Sequence, residues 1–131
     1  MSDIIDLDFT GVGRGPILLD EGDYILTISD VQVKPPKNET TAKGSKAYPS
    51  VWVTYEVEGA RIMDFFSLHP NSMWVLRNWL ESVTGQEIEG PLRLNPADMI
   101  GAVVQATLTI EPRNDKPDIM TNKITSYGFV G

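Results

Sequence analysis

The stretch that decides the fold reads SVWVTYEVEGARIMDFFSL and occupies residues 50–68. Apolar and polar residues alternate on both sides of Gly59, a pattern typical of two half-buried β-strands joined by a tight turn. Strands are therefore predicted at 50–58 and at about 61–68. The apolar side chains that share one face of this hairpin are Val51, Val53, Tyr55, Val57, Ile62, Phe66 and Leu68.

Further elements are predicted on both sides of this hairpin. The strand before it changes its apolar phase near Asp30, which predicts a bulge or sharp bend, because a one-residue slip turns every later side chain over. After the hairpin, Asn71 or Ser72 is expected to cap a helix that ends at Gly85. The predicted elements are strands at 24–34, 50–58, 61–68, 102–111 and 122–130 and a helix at 71–84.

The order of these elements predicts a mainly β protein. Five strands with a helix between the third and the fourth is the order of the OB-fold barrel, and the alternating patterns favour antiparallel pairing. A different small β-barrel or an open α+β sheet has the same order of elements. We therefore expect a five-stranded antiparallel OB-fold barrel over residues 22–131, preceded by an N-terminal arm at residues 1–21 that is rich in glycine.

The composition indicates one small domain of an intracellular kind. The chain has 131 residues, within the usual size of a single domain, and it contains no cysteine, which excludes disulfides and thiolate metal sites. Its acidic start lacks the plan of a signal peptide. No apolar run approaches the ~20 residues that span a bilayer. We expect a soluble protein without a membrane partner.

The charge is unevenly distributed along the chain. The formal net charge is −7, which by itself argues against a nucleic-acid-binding protein. The loop at 34–47 nevertheless holds four lysines against the single acid Glu39. Such a loop is often only a solvated loop, but in an acidic chain its basic character also predicts a binding site for a polyanion.

Few residues suggest an enzyme. The glycines near the N-terminus neither follow a strand nor open a helix, so they do not form a phosphate-binding loop. His69 is the only histidine, and Asp64 is the one carboxylate on an apolar strand face, where we expect it to accept hydrogen bonds. We expect no catalytic residues, no metal and no cofactor. A metal-dependent hydrolase built from scattered carboxylates is a third hypothesis without positive support.

Basic and aromatic residues converge where an OB-fold binds its ligand. That surface lies across the second and third strands, between the loops that join strands 1–2 and 4–5, and single strands need cations for phosphates and aromatic faces for bases. As alternatives, the arm or a second subunit covers Trp52, or Phe65 belongs to the core. The predicted DNA-binding residues are Lys34, Lys37, Lys43, Lys46, Trp52, Arg61, Phe65, Arg113 and Lys116.

Three short sequence motifs resemble those of a known family. They are EGDY at residues 21–24, DFFSLHP at 64–70 followed by Trp74 and Leu76, and PADMIG at 96–101. From Gly22 onward the chain resembles phage and prophage single-stranded-DNA-binding proteins. The resemblance implies a protein that coats single-stranded DNA in the cytoplasm of an infected bacterium. Its implied partners are phage replication or recombination proteins, and a homodimer stays open.

An assembly role is the main alternative. A phage virion or assembly protein would use the barrel and its exposed aromatic residues for protein–protein contacts, and the acidic bulk of the chain suits that role. Binding to an unstructured oligonucleotide at low and moderate salt distinguishes the two functions.

Overall fold

The computed structural model describes residues 4–10, 17–40, 44 and 46–131. Every predicted strand and the predicted helix are present, and their ends differ from the prediction by at most two residues. The elements are β1 (Gly22–Lys34), β2 (Ser50–Val57), β3 (Ala60–Ser67), a 3₁₀ turn (Pro70–Ser72), α1 (Met73–Thr84), a second 3₁₀ turn (Pro96–Met99), β4 (Val103–Pro112) and β5 (Met120–Gly128).

The five strands form one antiparallel sheet in the order β3-β2-β1-β4-β5. The central strand β1 pairs with β4 through residues 22–27 and with β2 through residues 27–34. The register shifts between Ile28 and Asp30, so Ser29 is the extra residue of a bulge. The predicted bend near Asp30 is therefore confirmed one residue earlier, and it lets a single strand serve both halves of the sheet.

The two edge strands are not joined by a backbone ladder. Among the described residues, β3 pairs only with β2 and β5 pairs only with β4. The sheet is consequently open along a seam between β3 and β5, and the closed barrel expected from the sequence is not formed by backbone pairing. The coarser prediction, a mainly β protein with five antiparallel strands and one helix, is confirmed.

A chain of side-chain hydrogen bonds crosses this seam. The Trp79 indole N–H donates to the Tyr55 hydroxyl over 2.7 Å, which donates to the Tyr127 hydroxyl over 3.0 Å. Tyr127 in turn donates to Asp64 Oδ2 over 2.7 Å, while Asp64 Oδ1 accepts from the backbone N–H of Phe65 over 2.8 Å. The chain joins α1, β2, β5 and β3. It also explains the carboxylate on an apolar face, because Asp64 accepts hydrogen bonds there as expected.

The core lies between the inner face of the sheet and α1. Trp79 of α1 stacks on Phe66 of β3 with ring centroids 5.0 Å apart, and it is almost completely buried. Because an aromatic side chain removes a large apolar area from water, this contact anchors the helix on the sheet. Other fully buried core residues are Leu26, Ile28, Val53, Tyr55, Val104 and Leu108.

The entry into α1 confirms the predicted position of the N-cap but not a capping bond from its side chain. His69 caps the 3₁₀ turn that lies between it and α1, since its Nδ1 accepts from the backbone N–H of Asn71 over 3.0 Å. Ser72 occupies the N-cap position of α1 without a capping side-chain bond. The predicted C-terminal end is confirmed, because Gly85 adopts the left-handed conformation, φ 71°, that ends many helices.

The described residues just before β1 are fastened to the far edge of the sheet. The backbone N–H of Leu19 donates to Asn122 Oδ1, and its carbonyl accepts from Asn122 Nδ2, each over 2.8 Å. Leu19 is buried, and the Glu21 carboxylate accepts from the backbone N–H of Ile110 on β4. Residues 4–10 are exposed. Residues 11–16, where glycines predict irregular structure, lie outside the described residues.

The turn between β2 and β3 consists of two residues with positive φ. Glu58 has φ 48° and Gly59 has φ 79°, and Val57 pairs directly with Ala60. Positive φ at both positions is the geometry of a type I′ hairpin turn, which favours Asn-Gly. Glu58 is therefore strained, since a left-handed backbone costs an ordinary L-residue roughly 1–2 kcal/mol.

Removing the hydroxyl that crosses the seam is expected to destabilise the fold. Tyr127→Phe leaves Tyr55 without an acceptor and Asp64 Oδ2 without its donor, so the free energy of unfolding should fall by about 1–3 kcal/mol in urea titrations. Tyr24→Phe is the matched control, because it removes only an exposed bond to the Asp20 carbonyl. Equal losses in the two variants would contradict a structural role for the seam bonds.

The same hydroxyls set a pH dependence. Burial raises the pKa of both Tyr55 and Tyr127 above the ordinary value near 10, and for Tyr127 the neighbouring Tyr55 and Asp64 add to the effect. The unfolded chain therefore loses these protons first as the pH rises. Stability should be unaffected by these groups below about pH 10 and fall above it, with a shallower fall in Tyr127→Phe.

Relieving the strain at the β2–β3 turn is expected to stabilise the protein. Glu58→Asn should raise the free energy of unfolding by about 0.5–1 kcal/mol, because Asn tolerates the left-handed backbone. Glu58→Gln removes the same charge but keeps the strain, so it should leave stability unchanged. A gain in both variants would assign the effect to charge instead of backbone conformation.

Candidate nucleic-acid interface

The outward face of β2 and β3 carries an exposed aromatic pair. Trp52 and Phe65 are direct cross-strand partners, and their rings stack with centroids 5.0 Å apart and an interplanar angle of 22°. Phe65 is 58% exposed, which contradicts the alternative that it belongs to the core. The alternation in the sequence therefore assigns both aromatic residues to the correct face.

The two aromatic side chains have different surroundings. The Lys34 ammonium lies over the Trp52 ring, 4.6 Å from its centroid, and the Trp52 indole N–H donates to Ser50 Oγ over 2.8 Å. Because β1 and β3 flank β2 on opposite sides, Lys34 and Phe65 approach the indole from opposite sides. These contacts hold the Trp52 side chain in place, whereas the Phe65 ring is exposed to solvent. The sequence alone did not distinguish these roles.

The loop between β1 and β2 has a hairpin-like stem. Thr40 and Lys46 form an isolated antiparallel bridge, and the backbone N–H of Ala47 donates to the Glu39 carbonyl over 2.9 Å. This stem brings the far end of the loop back to the start of β2. Lys43, predicted to bind DNA, lies outside the described residues.

Two of the predicted loop lysines, Lys37 and Lys46, are exposed. Lys37 is in a bend shortly after the end of β1. The Lys46 ammonium lies 5.4 Å from the ring centroid of Tyr48. Lys34 and Lys46 therefore place two cations against aromatic rings at the Lys34 end of the β2–β3 face.

The opposite end of the face has a balanced charge. Arg61 lies opposite Glu56 in the ladder, and the closest guanidinium and carboxylate atoms are 3.9 Å apart. Both side chains are exposed, so the pair contributes little to stability. The Glu56 carboxylate offsets the positive charge of Arg61. This end of the face therefore attracts a phosphate less than the Lys34 end does.

The basic residues of the β4–β5 turn are only partly available. Arg113 donates to both carboxylate oxygens of Asp115, over 3.0 and 2.6 Å, and this bonding lowers the pKa of Asp115 below its ordinary value. Lys116 is exposed in the same turn. The turn precedes Met120, which lines a cavity of about 900 Å³ together with Arg61. Arg113 and Lys116 do not line this cavity themselves.

Two aromatic residues near the Lys34 end were not predicted as site residues. Tyr48 and His69 pack edge to face, with ring centroids 4.8 Å apart, and both are half-buried. They lie just outside the strands as predicted. The alternating pattern of the sequence could have identified both residues. Counting back in steps of two from Trp52 reaches Tyr48, and counting forward from Phe65 reaches His69.

A separate apolar groove lies beside α1, away from the outward face. Its volume is about 600 Å³, and Trp74 at its rim is 60% exposed. Residues 88–92 form the other wall of the groove. Apolar groups that line the groove include Val31, Val51, Leu68, Met73, Leu76, Leu80, Ile88 and Leu92.

Other features and comparisons add no assignment. Among the ranges that the structure describes, no three histidine, aspartate or glutamate side chains cluster closely enough to hold a metal ion. No helix in the described part of the chain has the length and apolar character needed to cross a membrane. Comparison of the sequence with models of known protein families and with curated proteins finds no match.

Proposed function

We propose that this protein binds single-stranded DNA with little sequence preference and without catalysis, on the outward face of β2 and β3. The observation that carries the proposal is the exposed Phe65 ring, stacked on Trp52, beside the Lys34 ammonium. A single strand needs both an aromatic surface for its bases and cations for its phosphates. Every base has a π face, so stacking on Phe65 does not select a sequence.

The charge distribution supports a path along the Lys34 end of the face. The chain as a whole is acidic, with a formal net charge of −7, and most of its surface repels a phosphate backbone. Within the described part of the chain, Lys34, Lys37 and Lys46 form no ion pair with a carboxylate, and Lys34 and Lys46 lie over aromatic rings. Binding is therefore expected to depend strongly on the β1–β2 loop, whereas Arg61 and Arg113 contribute less because carboxylates lie next to them.

We interpret the fold as an OB-fold with an open seam. The order of the strands, a bent β1 shared between β2 and β4, and a helix between β3 and β4 support this interpretation. The OB-fold is a partly open barrel that binds ligands across its second and third strands. In this interpretation the outward face of β2 and β3 is the usual ligand surface.

The biological setting is proposed from the sequence motifs. The phrases at 21–24, 64–70 and 96–101 resemble those of phage single-stranded-DNA-binding proteins. On that basis the protein coats single strands during phage replication or recombination in the bacterial cytoplasm, and its partners are other phage replication or recombination proteins.

An assembly role is the second candidate, and the apolar groove beside α1 favours it. A groove of about 600 Å³ with an exposed Trp74 is the kind of surface that binds another protein. It is distinct from the aromatic face. If the protein binds no oligonucleotide of about 30 nucleotides, several OB site sizes, even at low salt, the assembly role replaces the proposed function.

Neutralising the loop is expected to weaken binding and to flatten its salt dependence. Each phosphate contact with single-stranded DNA contributes about 0.7 to the slope of log affinity against log salt. Lys37→Ala with Lys46→Ala should therefore reduce that slope by about 1.4 in fluorescence titrations, while the melting temperature stays unchanged.

The matched control removes two cations elsewhere. Arg77→Gln with Arg93→Gln changes the net charge by the same amount, but the two side chains lie on α1 and on the connection that follows it. This variant should keep the slope of the wild-type protein. Equal effects of both double variants would mean that binding follows net charge alone and that the loop is not the site.

Removing the exposed aromatic ring of Phe65 should weaken binding without changing the salt slope. Phe65→Leu keeps an apolar side chain of similar size but loses the π face, and the affinity should fall by about 1–3 kcal/mol at every salt concentration. Met63→Leu, on the same exposed strand face, is the control and should bind as the wild-type protein does. Unchanged affinity of Phe65→Leu would contradict base stacking at this position.

A further inference from the structure

The β2–β3 ladder continues beyond the ends of the two strands. Ser50 pairs with Ser67, and the backbone N–H of Leu68 donates to the Pro49 carbonyl over 2.9 Å. In the same register, the next pair is Tyr48 and His69. Because side chains alternate between the two faces of a sheet, this pair belongs to the same outward face as the Trp52–Phe65 pair.

The Tyr48–His69 pair contains the same chemical groups as Trp52–Phe65, although its rings meet edge to face instead of stacking. In each case a lysine ammonium lies over one ring, at 4.6 Å for Lys34 over Trp52 and at 5.4 Å for Lys46 over Tyr48. In each case a second aromatic ring contacts the first across the ladder, with centroids 5.0 Å apart at Trp52–Phe65 and 4.8 Å apart at Tyr48–His69. The same two chemical groups, a π surface and a cation, thus occur twice on one face.

The space between the two aromatic pairs suits a continuous strand of nucleotides. Tyr48 lies two residues before β2 and four residues before Trp52, which corresponds to roughly 13 Å in an extended chain. Only the small Ser50–Ser67 pair separates them. A backbone that follows the ladder therefore meets no bulky side chain between one aromatic pair and the next.

We infer that Tyr48, His69 and Lys46 form a second nucleotide subsite, with the ring surfaces for a base and the Lys46 ammonium for the adjoining phosphate. This inference rests on the proposed function and extends it. It gives the bound strand a direction across the molecule, along β2 and β3 from Phe65 towards the β1–β2 loop. It also assigns a binding role to two residues at the ends of the strands.

The two rings can be removed while the local structure is kept. His69→Asn retains a side-chain acceptor for the backbone N–H of Asn71, which His69 Nδ1 now binds over 3.0 Å, and Asn is a favoured helix cap. Tyr48→Leu retains an apolar side chain without a π surface. Tyr48→Phe keeps the ring and is the matched control.

The test measures affinity against oligothymidylate length, between about 2 and 16 nucleotides. The Tyr48→Leu/His69→Asn variant should bind the long oligonucleotides at least about fivefold more weakly than the wild-type protein. It should bind the shortest ones equally well, because these fill only the Phe65 subsite. Phe65→Leu should weaken binding at every length, and Tyr48→Phe should bind as the wild-type protein does.

A second measurement tests the cation of the subsite and leaves its aromatic rings unchanged. Lys46→Gln leaves both rings in place and should reduce the salt slope by about 0.7 for long oligonucleotides only. Wild-type affinity of the Tyr48→Leu/His69→Asn variant at all lengths, or a uniform loss that includes the shortest oligonucleotides, would overturn the second subsite. Failure of the wild-type protein to bind any length would overturn the proposed function itself.

Discussion

The hydrogen-bonded chain from Trp79 through Tyr55 and Tyr127 to Asp64 is the constraint on which the rest of the structure depends. Among the described residues, backbone pairing ends at the outer edges of β3 and β5, so the ladder alone does not fix the curvature of the sheet at the seam. Side chains from α1, β2, β5 and β3 supply that constraint instead. A hydrogen bond in a buried setting is stronger and more costly to break than one in water, which makes four elements depend on each other's positions.

That curvature determines which side chains reach the outward face together. The bulge at Ser29 turns β1 so that its second half pairs with β2 and carries Lys34 to Trp52. The inner side chains of β2 and β3 meet α1, and the outer ones are left to solvent. One alternating pattern therefore builds the core on one side of the hairpin and collects aromatic and basic groups on the other.

The sequence predicts most of the fold, because alternation, glycine turns and helical spacing are local signals. It assigns Trp52 and Phe65 to one face and identifies Asp64 as a hydrogen-bond acceptor. It does not predict the open seam, since the pairing of edge strands depends on the curvature of the whole sheet. Nor does it separate free cations from paired ones: Glu56 becomes a neighbour of Arg61 only across the ladder, and Asp115, two residues from Arg113, binds it through the geometry of the turn.

The open seam also divides the backbone amides into two classes. In β1 only Thr27 has a ladder partner on both sides, because β4 pairs with residues 22–27 and β2 with residues 27–34. In β3 and β5 every second amide points away from the only strand that pairs with it. The amides that face a ladder partner exchange their protons only when the sheet opens, whereas an amide that faces the seam depends on a side-chain acceptor, as the Phe65 amide does on Asp64 Oδ1. The strand β3, which belongs to the hairpin that presents the aromatic face, is therefore held by backbone bonds on one side and by side chains on the other.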